Sequence, residues 1–93
     1  MRQKAIEDLT DIWDYSTHKW SKNQANKYFG MIKTACGEIT QNSIIGKNYD
    51  KIDNKIRGHR VGKHIVFYQI FPNEEIEVIR ILHESMDLQN RLT

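Results

Sequence analysis

Hydrophobic and polar positions change period twice along the chain. From Ala5 the apolar positions Ile6, Leu9, Ile12, Trp13 and Trp20 follow a helical repeat, with Glu7 and Asp8 placed in the first turn to complement the helix dipole. This pattern predicts a helix over about Ala5 to His18, followed by a short connection at Lys19 and Trp20. Ser21 and Gln24 then stand at capping-box spacing, so a second helix starts there. Ala25, Tyr28, Phe29, Ile32, Cys36 and Ile39 keep one of its faces apolar to about Gln41. A connection this short makes the two helices antiparallel neighbours. Asn42 to Lys55 lacks a sustained period and carries Gly46, Asn48, Asp50, Asp53 and Asn54. It reads as a loop that Ile44, Ile45, Tyr49 and Ile52 can pin to the core.

Beyond the loop the period becomes that of strands. Ile56 to Val61, His64 to Phe71 and Ile76 to Leu82 are rich in β-branched and aromatic residues. Gly62-Lys63 makes a tight reversal between the first two, and Pro72 to Glu75 supplies turn chemistry between the others. The two long strands do not alternate cleanly. Ile65 and Phe67 point one way and Val66, Tyr68 and Ile70 the other, so a cover is expected on each side of an antiparallel sheet of at least three strands. Met86, Leu88 and Leu92 give Ser85 to Thr93 the look of a short helical turn or tail. The fold class is therefore α+β, an N-terminal helical hairpin packed on a C-terminal antiparallel sheet, in one domain over residues 1–93.

Composition narrows the picture. The 93 residues are 39% hydrophobic and 28% charged, which suits a globular chain rather than a disordered one. No apolar run approaches the length of a membrane span, and the N-terminus lacks the layout of a signal peptide, so a cytoplasmic protein without membrane partners is expected. The lone Cys36 cannot form an internal disulfide and reads as a small buried hydrophobe on the second helix. Gly30 and Gly37, seven residues apart on that helix, read as tolerated surface glycines, or else as a smooth strip for a close partner. A net charge of +2 does not by itself point to nucleic acid.

Charge placement matters more. Lys55, Arg57, His59, Arg60, Lys63 and His64 crowd one strand and its turn, suiting either a phosphate strip or a charged strand edge that resists aggregation. Arg80, set between Ile79 and Ile81, needs a partner such as Asp87 or Glu84, or a water-facing groove. His83-Glu84 begins a zinc-type H-E-x-x-H, but Asp87 occupies the place of the second histidine. No metal or cofactor is expected, and no serine sits in a nucleophile elbow. Acid-base cleavage of RNA has candidates in Arg60, Arg80, His59, His64, His83 and Tyr68. His83 reads equally as a structural residue at a strand end, and Trp13 and Trp20 as packing residues.

The segments Ala5-Ile6-Glu7-Asp8-Leu9, Ile12-Trp13-Asp14-Tyr15, Trp20, Gln24-Ala25, Ile45-Gly46, Arg60 to Tyr68 (RVGKHIVFY) and Ile79 to Asp87 (IRILHESMD) resemble the ParE branch of the RelE/ParE toxin family. The resemblance runs nearly end to end, and the last two segments carry most of its specificity. It implies a plasmid-stabilisation type II toxin held inactive, as a hetero-oligomer, by a ParD-like antitoxin. The implied action is non-catalytic binding of DNA gyrase with growth arrest. Family members carry a strand of about six residues before the first helix; only Met1 to Lys4 stands there, so a sheet lacking that strand is expected. Arg60, Arg80 and His83 match positions that the ribonuclease branch uses on mRNA at the ribosome, but the tail from Asp87 has neither a Tyr nor a His to serve as acid. Trp13, Arg60, His64, Tyr68, Arg80, His83, Met86 and Asp87 are the candidate contacts to antitoxin or target. A ribosome-dependent endoribonuclease using Arg60, Arg80 and His83, or a non-toxic remnant that still binds antitoxin, are the alternatives.

Overall fold

A computed structural model describes residues 1–49, 51–52 and 55–92. In chain order it contains α1 (Gln3–Lys19), α2 (Lys22–Gln41), β1 (Lys47–Asn48), β2 (Ile56–Val61), β3 (His64–Ile70), β4 (Ile76–His83) and α3 (Leu88–Leu92). The four strands form one antiparallel sheet in the order β1-β2-β3-β4. Ser21 caps α2 as its spacing predicts, with Oγ accepting the Gln24 N–H at 3.1 Å. Gly62 turns β2 into β3 with φ +57°, a conformation that favours glycine.

The sheet is covered on both faces, as the uninterrupted apolar strands require. Toward the helices, Val61, Val66, Tyr68 and Ile81 pack with Ile32, Ala35 and Ile39 of α2 and with Leu9 and Ile12 of α1. On the opposite face Ile56, Ile65, Phe67, Ile79 and Leu82 lie beneath Tyr49, Leu88 and Leu92. The C-terminal turn expected from sequence is thus the second cover. Opposite Phe67 and Tyr68 the register passes from Arg80 to Val78, which leaves Ile79 as an extra residue on β4. A bulge of this kind bends and twists an edge strand.

Three expectations are corrected. The segment Asn42 to Lys55 is not wholly loop, because Lys47 and Asn48 pair with Gly58 and Arg57; Asp50, Asp53 and Asn54 lie outside the described residues. Ile44 and Ile45 do not pin it, since both are exposed. Tyr68 does so instead, its buried hydroxyl donating to the Ser43 carbonyl at 2.6 Å and accepting the Gly46 N–H at 2.9 Å. Finally, α1 begins at Gln3, which places Glu7 and Asp8 beyond its first turn.

Asp8 has another task. Among the described residues no strand precedes α1, and the outer edge of β4 is met by the start of that helix. The Arg2 N–H donates to the Val78 carbonyl at 2.8 Å, and the Ile81 N–H donates to Asp8 Oδ2 at 2.9 Å. Arg2 also pairs with Glu77 at 2.7 Å. These contacts satisfy backbone groups that an uncovered edge would present to another chain. No helix among the described residues is long and apolar enough to cross a membrane.

Candidate functional site

A groove of about 620 Å³ opens between α1, the first turns of α2 and the β3–β4 end of the sheet. Ile12 and Ile81 contribute apolar floor, and the exposed Tyr15, Trp20 and Met86 form its rim. Five rings run along it edge to face. Tyr15 meets Trp20 at 6.3 Å, Trp20 meets Tyr28 at 6.5 Å, Tyr28 meets His64 at 5.4 Å and His64 meets His83 at 5.2 Å between centroids. Helical spacing puts Tyr15 and Trp20 on neighbouring turns of α1 and its cap. The direct cross-strand pairing of His64 with His83 brings the two imidazoles together edge to face, their planes 87° apart.

Tyr28 ties α2 to this end of the sheet. Its hydroxyl donates to the Val61 carbonyl at 3.1 Å and accepts the Lys63 N–H at 3.2 Å, while His64 Nδ1 stands 2.6 Å away. The hydroxyl thus has two acceptor atoms within reach of its single proton, the Val61 carbonyl and the His64 ring nitrogen. Burial raises the Tyr28 pKa, with the backbone donors opposing it. His83 is oriented by Ser85. The Ser85 N–H donates to His83 Nδ1 at 3.1 Å, so that nitrogen is an acceptor and the ring proton lies on Nε2; Ser85 Oγ is 2.7 Å from the same nitrogen.

Arg80 does not pair with Asp87 or Glu84. Its Nε and Nη2 donate to the two oxygens of Asp8 at 2.8 and 2.9 Å, and Nη1 reaches the Arg91 carbonyl at 3.2 Å. The Asp8 hydrogen bond raises the Arg80 pKa above its ordinary value, against the effect of burial. The two side chains are 16% and 12% exposed, so the pair is largely withdrawn from water and its charges cancel. Sequence reasoning missed Asp8 because it lies 72 residues from Arg80; an acidic residue on the inward-facing side of a helix, beside Leu9 and Ile12, was the available signal.

The remaining sequence candidates scatter. Arg60 is bound to Glu84 outside the groove, beside Lys63, whose Nζ is 3.7 Å from the same carboxylate. The Arg60 hydrogen bond is the main reason the Glu84 pKa is lowered. His59 faces Glu38 at 3.7 Å and Arg57 donates to the Gly46 carbonyl at 2.9 Å, so the basic strip is divided among separate partners. Tyr68 is fully buried and offers no surface for contact. Trp13 packs edge to face on Phe29 at 6.1 Å, as a packing residue would, and Trp20 is exposed at the groove. Asp87 serves α3, accepting from the Asn90 amide at 2.6 Å. Cys36 is partly buried with its thiol pKa raised by that burial, in keeping with a small hydrophobe. No side chain approaches the open space above Gly30 or Gly37 among the described residues. Those residues also contain no group of three or more metal-ligating side chains.

Burial, followed by the neighbouring His83, depresses the His64 pKa below its ordinary value, with Asp8 and Glu84 opposing. The unfolded chain therefore binds the His64 proton more readily than the folded chain does. The stabilisation is complete above the ordinary histidine pKa of about 6.5 and is lost as pH falls through the depressed value. Urea midpoints are expected to decline over that interval, and the His64→Asn variant to show a shallower decline than the parent. Equal slopes would remove His64 as the cause.

A family profile, ParE toxin of type II toxin-antitoxin system, parDE, matches residues 1–88. The chain is 32% identical over 84 residues to Toxin ParE1 of Mycobacterium tuberculosis (strain ATCC 25618 / H37Rv), covering 90% of this chain and 86% of that protein. It is 30% identical over 92 residues to Toxin ParE1 of Caulobacter vibrioides, covering 99% and 94%. Among solved structures, a chain described as the chromosomal ParDE TA system from P. aeruginosa superimposes with a TM-score of 0.76. That match has 19% identity over 88% of this chain and 89% of the other, and shows a shared fold.

Proposed function

The chain belongs to the ParE toxin family of type II toxin-antitoxin systems, and from that premise we propose that it arrests growth by binding DNA gyrase without catalysis. A ParD-like antitoxin neutralises it in the cytoplasm by forming a hetero-oligomer. The observation that carries the non-catalytic reading is the Arg80–Asp8 pair. Cleavage of RNA needs a cation free to meet the charge that develops on phosphate. Arg80 instead spends two donors on a carboxylate of its own chain, and Arg60 is held by Glu84 outside the groove. His64, His83 and Met86, with the exposed Tyr15 and Trp20, are the proposed contact surface, where rings and a flexible thioether give large contact area at modest entropic cost.

Induced expression without antitoxin tests this, with DNA and protein synthesis followed separately by pulse labelling. DNA synthesis is expected to fail first, and the purified chain to inhibit gyrase supercoiling until antitoxin is added. Protein synthesis failing first, with mRNA cut at the ribosome, would replace this reading by the ribonuclease one. Soluble expression without arrest would leave a chain that only binds antitoxin.

A further inference from the structure

One buried hydroxyl in the groove is left unanswered by the fold. Ser16 is 3% exposed and its carbonyl holds the Trp20 N–H at 3.0 Å, but its hydroxyl has no hydrogen-bond partner among the described residues. A helical hydroxyl commonly bonds the carbonyl one turn back, as Thr10 does to Ile6, and Ser16 does not. No fully enclosed side-chain nitrogen or oxygen lacks a partner among the described residues, so this hydroxyl keeps a small opening, and the space that it meets is the groove. The helix α1 runs beside β4 in the same direction, with Arg2 at Val78 and Asp8 at Ile81. From Asp8 to Ser16 the helix rises about 12 Å, the span of about three to four strand residues, which brings Ser16 level with His83 at the end of β4. His83 carries its proton on Nε2, and no acceptor meets it among the described residues. Two unused donors therefore stand at one end of the groove.

We propose that this end of the groove binds the carboxylate of a small apolar acid, with Ser16 Oγ–H and His83 Nε2–H as donors. The apolar body lies between Ile12 and Ile81 on the floor and Trp20 and Met86 on the rim. Charge selects the anion. Lys63, next to His64, lines the same end; its side chain is 76% exposed and Glu84 holds its Nζ only loosely, at 3.7 Å. The carboxylates of the lining stand farther along: Asp8 is spent on Arg80, and Asp11 lies about 7.5 Å back along α1 from Ser16, at the end that Arg91 also lines. A carboxylate offers two acceptor oxygens to the two donors, and its charge strengthens each bond. The groove volume of about 620 Å³ lies within the range of small-ligand sites. The site binds and does not cleave, and it is independent of whether gyrase is the target. A free acid and the C-terminal residue of a peptide share the chemistry that it recognises.

The test is a chemical-shift titration of the full chain, free of antitoxin, with 3-phenylpropionate, 3-phenylpropanol and N-acetylglycylphenylalanine, whose carboxylate is free. Saturable shifts of the Trp20 indole and the His83 ring are expected with the acid, and binding about tenfold weaker with the alcohol. Ser16→Ala should weaken binding of the acid about tenfold while the urea midpoint stays level or rises, because the hydroxyl has no partner in the fold and Ala is the better helix residue. His83→Phe keeps a ring and removes the donor, and should weaken binding by a similar factor. Tighter binding of the peptide would make a chain end the source of the carboxylate, and equal or tighter binding of 3-phenylpropionate would make it a free acid. No saturable shift by about 10 mM, equal binding of the alcohol, or undiminished binding by a folded Ser16→Ala chain would overturn the proposal. A lowered midpoint in Ser16→Ala would also do so, since it would show that the hydroxyl serves the fold.

Discussion

Asp8→Ala is expected to lower the free energy of unfolding by about 3–5 kcal/mol, the cost of leaving a largely buried cation without its partner. The substitution removes two hydrogen bonds from Arg80 and one from the Ile81 N–H, so it also reopens part of the β4 edge. The Asp8→Asn variant keeps an acceptor and loses the charge, and should fall between the parent and Asp8→Ala. The double variant Asp8→Leu, Arg80→Met tests the cause. A paired charge replaced by apolar side chains of similar size is often near neutral, so this chain should recover most of the stability although both charged groups are gone. Urea denaturation of the four chains measures each value. An Asp8→Ala chain within 1 kcal/mol of the parent would show that the pair behaves as a surface ion pair.

The second large effect is at Tyr68. Tyr68→Ala should cost about 3–5 kcal/mol, because a large side chain with no exposed surface leaves a cavity between sheet and helices. Tyr68→Phe isolates the hydroxyl and should cost about 1–3 kcal/mol, since the Gly46 N–H and the Ser43 carbonyl both lose their partner. The two variants should also differ from the parent in protease nicking between α2 and β1, the segment that this hydroxyl holds. Gly46→Ala should reproduce part of the Tyr68→Phe effect, because an added Cβ would lie 2.5 Å from the Tyr68 hydroxyl oxygen. Unchanged nicking in Tyr68→Phe would mean that β1 is held by its pairing with Gly58 and Arg57 alone.

Neighbouring residues alone determined much of this protein. Helical repeats, the Ser21 cap, the Gly62 reversal and the Pro72 turn act over a few residues, and each gave the expected element within a few positions. The doubly apolar strands also required two covers, and both exist. The RVGKHIVFY and IRILHESMD segments carried the family likeness because the strands they form build the sheet. Tertiary structure decided what depends on residues distant in sequence. Asp8 was legible as a helix-dipole charge, yet its partner is Arg80 on the opposite side of the chain's connectivity. Tyr68 was legible as a surface candidate, yet it closes a loop from inside. Six basic or imidazole residues looked like one strip from Lys55 to His64, but strand alternation and four partners on other elements divide them. Local sequence fixes backbone period and therefore which face a residue can occupy. Which charge meets which, and which ring nitrogens remain without a partner, is set only when helices and strands close on one another, because electrostatic and hydrogen-bonding partners are chosen by distance in space.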